Sequence, residues 1–164
     1  MADIKAAGTA IRRAITDADG PLPPYFLVEF LLSQWRRYLV LVHHRQGGQS
    51  QEWIAAVDAT RRLLFSILPV TTLEQRSSLA KSAPTLIADL KRGASQGHID
   101  RIALDLFLKQ LSQLHFAKLD PKQPLEKPYL SDLSDTVALD AQDPRYRALL
   151  DQLDGRHGVE HIEM

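Results

Sequence analysis

Leu27, Phe30, Leu31, Trp35, Tyr38, Leu39 and Val42 recur at intervals of three and four residues, the spacing that lines side chains along one face of an α-helix. A core helix is predicted from about Pro24 to Arg45, ended by Gly47-Gly48, since glycine takes the left-handed cap conformation at little cost. A thinner stripe, Ile4, Ala7, Ile11, Ala14 and Ile15, predicts a peripheral helix over Ala2 to Ala18 that stops at Gly20. Pro21-Leu22-Pro23-Pro24 forces an extended connection between the two.

Ser50 is placed to cap a third helix that turns Trp53, Ile54, Val57, Leu64, Phe65 and Leu68 inward and stops before Pro69. Thr71-Thr72-Leu73-Glu74 has the form of a capping box with Thr71 as cap. The helix it opens carries Leu79, Ala83, Leu86, Ile87 and Leu90. Pro84 is expected to kink or divide it, and Gly93 and Gly97 to bracket its end. A fifth helix is predicted from about His98 to Lys118, with Ile99, Ile102, Ala103, Leu106, Phe107, Leu111 and Leu114 inward and Asp105 and Lys109 forming an outward i,i+4 pair.

After Leu119 the periodicity fades among Pro121, Pro124 and Pro128, which reads as an extended strap. A short last helix is expected from Pro144 to Asp154. Nowhere does an alternating, strand-like run appear. The pattern specifies an all-α, single-domain kinked antiparallel helical bundle over residues 1–118. Residues 119–164 form a proline-containing strap and a short C-terminal helix, with partial disorder expected.

Composition narrows the function. The chain of 164 residues is 45% hydrophobic and 24% charged, the balance of a folded globular domain. Twenty basic residues offset twenty acidic ones, so a dedicated DNA binder, which carries a basic excess, is not expected. The absence of cysteine excludes disulfides, thiolate metal sites and cysteine nucleophiles. No signal-peptide core follows Met1, and the apolar stretch at Leu39 to Val42 is broken by charges well short of a bilayer span, so a cytoplasmic protein without membrane insertion is expected.

Candidate chemistry is sparse. His157 and His161, four apart with Glu160 and Glu163 nearby, have the spacing of two ligands on a helix face, but they lie beyond Gly155 at the chain end and no metal is assigned to them. His43-His44-Arg45 reads as a cationic helix C-terminus. His115, between Leu114 and Phe116, reads as a half-buried core histidine. No nucleophile elbow or glycine-rich phosphate loop occurs, so no catalytic residue and no cofactor are assigned. Four basic doublets lie on predicted helices: Arg12-Arg13, Arg36-Arg37, Arg61-Arg62 and Lys91-Arg92. Of these, Arg36, Arg37, Arg61 and Arg62 are the candidate ligand site, because the planar guanidinium fork suits phosphate. Trp35, Trp53, Tyr38, Phe65 and Phe107 are expected to pack together in the core.

One combination of residues goes beyond generic helix. Leu22-Pro23 leads into Val28-Glu29-Phe30-Leu31, Trp35 and Trp53, then Leu63-Leu64-Phe65-Ser66-Ile67 and Pro69. Arg76, Leu79, Pro84-Thr85-Leu86-Ile87, Leu90, Phe107-Leu108, Leu111 and Leu114-His115 follow. This order resembles the bacterial "domain of unknown function 1631" family, in whose longer members a similar helical stretch precedes a small C-terminal domain related to PilZ domains. The resemblance spans about Leu22 to Leu119 and rests on structural residues, so it implies a fold and brings no catalytic residue. It implies that the chain is a piece of a longer protein or a short stand-alone relative. The arginine-rich motif with which PilZ domains grip cyclic di-GMP has no counterpart among these residues.

The function expected is a non-enzymatic interaction or regulatory module of a bacterial signalling protein, engaging a protein partner or a second copy of itself. The alternative is a receptor for a nucleotide or other phosphate ligand built on the arginine doublets.

Overall fold

The computed structural model describes residues 2–127, together with Pro144, Arg147, Ala148, Leu149 and Asp151. Among these residues every regular element is helical. Helix α1 spans Ala2–Ala18. A second helical run contains α2 (Tyr25–Phe30), a π-helical turn (Leu31–Trp35) and α3 (Arg36–Gln46). Then follow α4 (Gln51–Ser66), α5 (Leu73–Gln96) and α6 (Arg101–Leu119).

Side-chain oxygens start three of these helices by accepting otherwise free backbone amides. Ser50 accepts from the Trp53 N–H at 3.1 Å, Thr72 from Gln75 at 3.0 Å and Asp100 from Ala103 at 2.9 Å. The cap of α5 is therefore Thr72 and not Thr71. The Gln75 amide oxygen reaches back to the Thr71 N–H and hydroxyl, at 2.7 and 2.9 Å, in the role expected of Glu74. Helix α6 starts three residues later than the periodicity predicts, because His98 takes a left-handed conformation, φ 54°. The Ile99 N–H then reaches the Ala94 carbonyl at 3.0 Å and that of His98 the Ser95 carbonyl at 3.3 Å, which closes α5 in a Schellman motif.

Gly47, φ 86°, does end α3 as expected. At the end of α1, by contrast, Asp19 takes the positive φ, 49°, and Gly20 makes room for the Leu68 side chain. Pro84 does not divide α5, which is unbroken for 24 residues. The apolar periodicity gives no sign of the π-helical turn at Leu31–Trp35. There the Arg36 N–H reaches the Leu31 carbonyl five residues back, and the Ser33 hydroxyl donates to the Glu29 carbonyl at 2.7 Å. The turn lets Leu31, Leu32 and Trp35 all face the core.

Short connections make consecutive helices antiparallel. Trp35 of the π-helical turn meets Thr60 of α4 and His43 of α3 meets Trp53 of α4, while Asp3 of α1 meets the last turn of α3. Helix α1 is not peripheral: it packs on both α3 and α4, with Ala7, Ile11 and Ala14 fully buried. Helix α4 turns Ala56, Ala59, Thr60, Leu63 and Leu64 inward. Ile54 and Phe65, expected inside, are exposed, as are Ile102 and Leu106 on α6.

An aromatic row runs through the core. Phe107 stacks on Phe30 at 3.8 Å between centroids and tilts against Phe26. Phe30 in turn neighbours Trp35, and Trp35 meets Tyr38 at 4.7 Å. Trp53 lies outside this row, edge-on to His43. Gly93 and Gly97 do not merely end α5. Gly93 leaves room for the Trp35 and Tyr38 rings, and Gly97 for the Cβ and backbone of Tyr38, that an added Cβ would fill. Leu149, helical as expected for the last segment, packs against the same core. Tyr146, Leu150 and Leu153 of that segment, like Tyr129 and Leu130, lie outside the described residues.

Candidate functional site

A groove of about 690 Å³ lies between the C-terminal half of α4 and the N-terminal half of α5. Its position follows from the chain. Ser66 ends α4, Pro69 prevents continuation, and the chain passes through Val70 before Thr72 caps α5. Phe65, Leu68, Pro69, Leu79 and Leu86 make its apolar lining, with Ser78, Ser82 and Gln75 along the rim. Phe65 is 44% exposed there, a large cost for a phenyl ring unless another surface covers it.

The strap closes one end of the groove. Glu126 and Val70 exchange two hydrogen bonds: the Glu126 N–H donates to the Val70 carbonyl at 2.8 Å, and the Glu126 carboxylate accepts from the Val70 N–H at 2.7 Å. Lys118 holds the same carboxylate at 2.9 Å, and Arg76 ties the Lys118 and Gln123 carbonyls, each at 3.0 Å.

The other end is bounded by charge. Arg62 donates to Asp58 at 2.8 Å and to Asp89 of α5 at 2.6 Å, and Arg92 pairs with the second oxygen of Asp89. Arg62, against the opposing effect of burial, holds the Asp89 carboxyl below the usual carboxylate range, and Arg92 adds to this. The Asp58–Arg62 pair is legible from its i,i+4 spacing. Asp89 is not, since it comes from another helix.

Behind the groove, His115 is buried and its Nε2 lies 2.9 Å from the Ser66 hydroxyl. Ser66 donates to the Leu63 carbonyl at 2.7 Å, so the network leaves the imidazole as the donor to Ser66. Burial, aided by the nearby Lys118 charge, pushes the His115 pKa down and keeps the ring neutral. The imidazole thus offers the hydroxyl a proton, the reverse of what would activate a serine nucleophile.

Of the arginines expected to bind phosphate, only Arg62 has a carboxylate partner among the described residues. Arg37 and Arg61 are exposed and Arg36 is half-buried. The 2.9 Å bond from the Trp35 indole N–H to the Thr60 hydroxyl sets the two doublets at a similar level on neighbouring helices. At the far end of α3, His43 and His44 donate to the two oxygens of Asp3, at 2.6 and 3.2 Å. The His43 bond is the main cause of the lowered Asp3 pKa.

No group of residues with metal-holding potential occurs among the described residues, and His157 and His161 lie outside them. No described helix is long and apolar enough to cross a membrane.

No curated protein and no solved structure matches the chain. A family model described as the third domain of the DUF1631 proteins of unknown function matches residues 3–112, from α1 into α6. This match takes in the N-terminal helix, which the resemblance read from Leu22 onward leaves out. With the greater part of its length covered by that model, and with the all-helical architecture expected of it, the chain belongs to the DUF1631 family.

Proposed function

We propose that the chain is a non-enzymatic interaction module of a bacterial signalling protein, and that the α4–α5 groove receives an apolar segment of a partner protein. The observation that carries this reading is the half-exposed Phe65 in an open groove with a largely apolar lining. Arg62 is held by two carboxylates and Ser66 by Leu63 and His115, so the groove offers a partner hydrophobic area more than charge or a reactive group. A groove of this size takes two or three side chains from an amphipathic helix.

The test is a photo-crosslinking residue at position 65, compared with one at the exposed Thr85, in the native host. A single adduct of defined mass at 65 and none at 85 is the expected result. Equal labelling at both positions, or none at 65, counts against the groove.

A second reading keeps Arg36, Arg37, Arg61 and Arg62 as a site for a nucleotide or other phosphate ligand in the cytoplasm. Its support is that the first three have no carboxylate partner among the described residues and share a level with Arg62. Thermal-shift titration with nucleotides, cyclic dinucleotides included, decides it: binding raises the melting temperature at saturation, and no shift at millimolar ligand eliminates it.

A further inference from the structure

Helix α6 is apolar on two sides. Its inner side packs Phe107, Leu108 and Leu111 against α2 and α5. Its outer side carries Ile102, Leu106 and Phe116, which are 78%, 58% and 73% exposed. Ile102, Lys109 and Phe116 are spaced by seven residues, two turns of helix, and therefore lie along one line. Asp105 and Leu106 flank that line. None of these residues lines the α4–α5 groove.

The charges on this stripe identify what covers it. Asp105 and Lys109 are both exposed, and among the described residues neither meets an opposite charge, not even each other. Lys109 sits at the middle of the apolar line, so a purely apolar partner would strip its water and give nothing back. A suitable partner presents a carboxylate to Lys109 and a cation to Asp105, one helical turn apart and in reversed order. An antiparallel copy of α6 does both.

We infer that the outer face of α6 is a homodimer interface, in which two copies of α6 pack antiparallel with Asp105 of each facing Lys109 of the other. This register is isologous, so one geometry makes both ion pairs and closes the assembly at two chains. It brings the two Leu106 side chains together beside the two-fold axis and lays each Ile102 against the Ser112 turn of the other copy. The interface is separate from the groove of the proposed function and stands or falls without it.

Sedimentation velocity of the full chain, with light scattering across a dilution series, tests the pairing. The expected result is a reversible dimer. Lys109→Asp sets four carboxylates across the axis and raises the dissociation constant at least about tenfold, equivalent to about 1.4 kcal/mol. The double variant Asp105→Lys with Lys109→Asp restores the dimer, because the swapped charges face each other again. Leu106→Glu gives a monomer. All these positions are exposed in the single chain, so circular dichroism melts of the monomeric variants are expected to remain cooperative. A chain that is monomeric at every concentration overturns the inference. So does a dimer indifferent to Lys109→Asp, or a double swap that fails to rescue, since the register requires that rescue.

Discussion

The Trp35 ring stands 2.6 Å from the position a Cβ on Gly93 would occupy, and Tyr38 closes the same position from 2.9 Å. Gly93 lies within α5, where glycine costs about 1 kcal/mol relative to alanine. The sequence tolerates that cost because α5 must approach two rigid rings. Gly93→Ala gains the helix propensity and loses the fit. Since neither ring can fold away, overpacking of about 1–3 kcal/mol outweighs the gain. A lowered urea midpoint with an unchanged slope is the expected result, and an unchanged or raised midpoint would show that the rings can move aside.

Trp35 is fully buried and its indole N–H has one acceptor, the Thr60 hydroxyl, which itself donates to the Ala56 carbonyl at 2.9 Å. Thr60→Val keeps the shape and removes the acceptor, stranding a buried donor at a cost of about 1–3 kcal/mol. Trp35→Phe also removes the donor, so the effect of Thr60→Val should shrink in that background. A double-mutant cycle by denaturant unfolding measures the difference, and strict additivity would disprove the coupling.

His115 gives a pH dependence whose sign follows from its lowered pKa. The unfolded chain takes up a proton near the ordinary value of 6.5, while the folded chain resists it until lower pH. Stability is therefore constant above that value, and falls as pH drops from 6.5 towards the folded-state pKa, by at most about 1.4 kcal/mol per pH unit. His115→Gln retains a donor for Ser66 and does not titrate. Its melting temperature should vary less than that of the parent between neutrality and about pH 5. The lowered pKa values of Asp3 and Asp89 act in a different window, removing stability only below their ordinary 3.8.

His98 occupies the left-handed position of the motif that closes α5, where a side chain costs about 1–2 kcal/mol and glycine does not. The side chain is exposed. His98→Gly is expected to stabilise the fold by about 0.5–1 kcal/mol after allowance for the greater freedom of glycine when unfolded. A calorimetric melt shifted downward would mean that the histidine has contacts worth more than the strain.

The sequence by itself determined the order of the helical segments over residues 2–119, most of their limits and the all-α class, because those rest on local rules. A 3.6-residue repeat, a serine or aspartate before it and a glycine after it act within one turn of chain. It also determined that Trp35, Tyr38 and Phe107 are core residues, since one stripe per helix must be buried. Tertiary structure decided which stripe that was wherever a helix had two. On α4 the face carrying Ala56, Ala59 and Leu63 is the buried one and Ile54 and Phe65 stay outside, and on α6 the contacts with α2 and α5 left Ile102 and Leu106 outside. Likewise, Gly93 looked like a terminator and proved to be clearance for Trp35, because the ring that needs the space is far away in sequence. Asp89 and Ser66 carried no local signal at all. Their partners, Arg62 and His115, come from other helices, and only the packing that buries Phe107 and exposes Phe65 sets the groove and the outer face of α6 where they are.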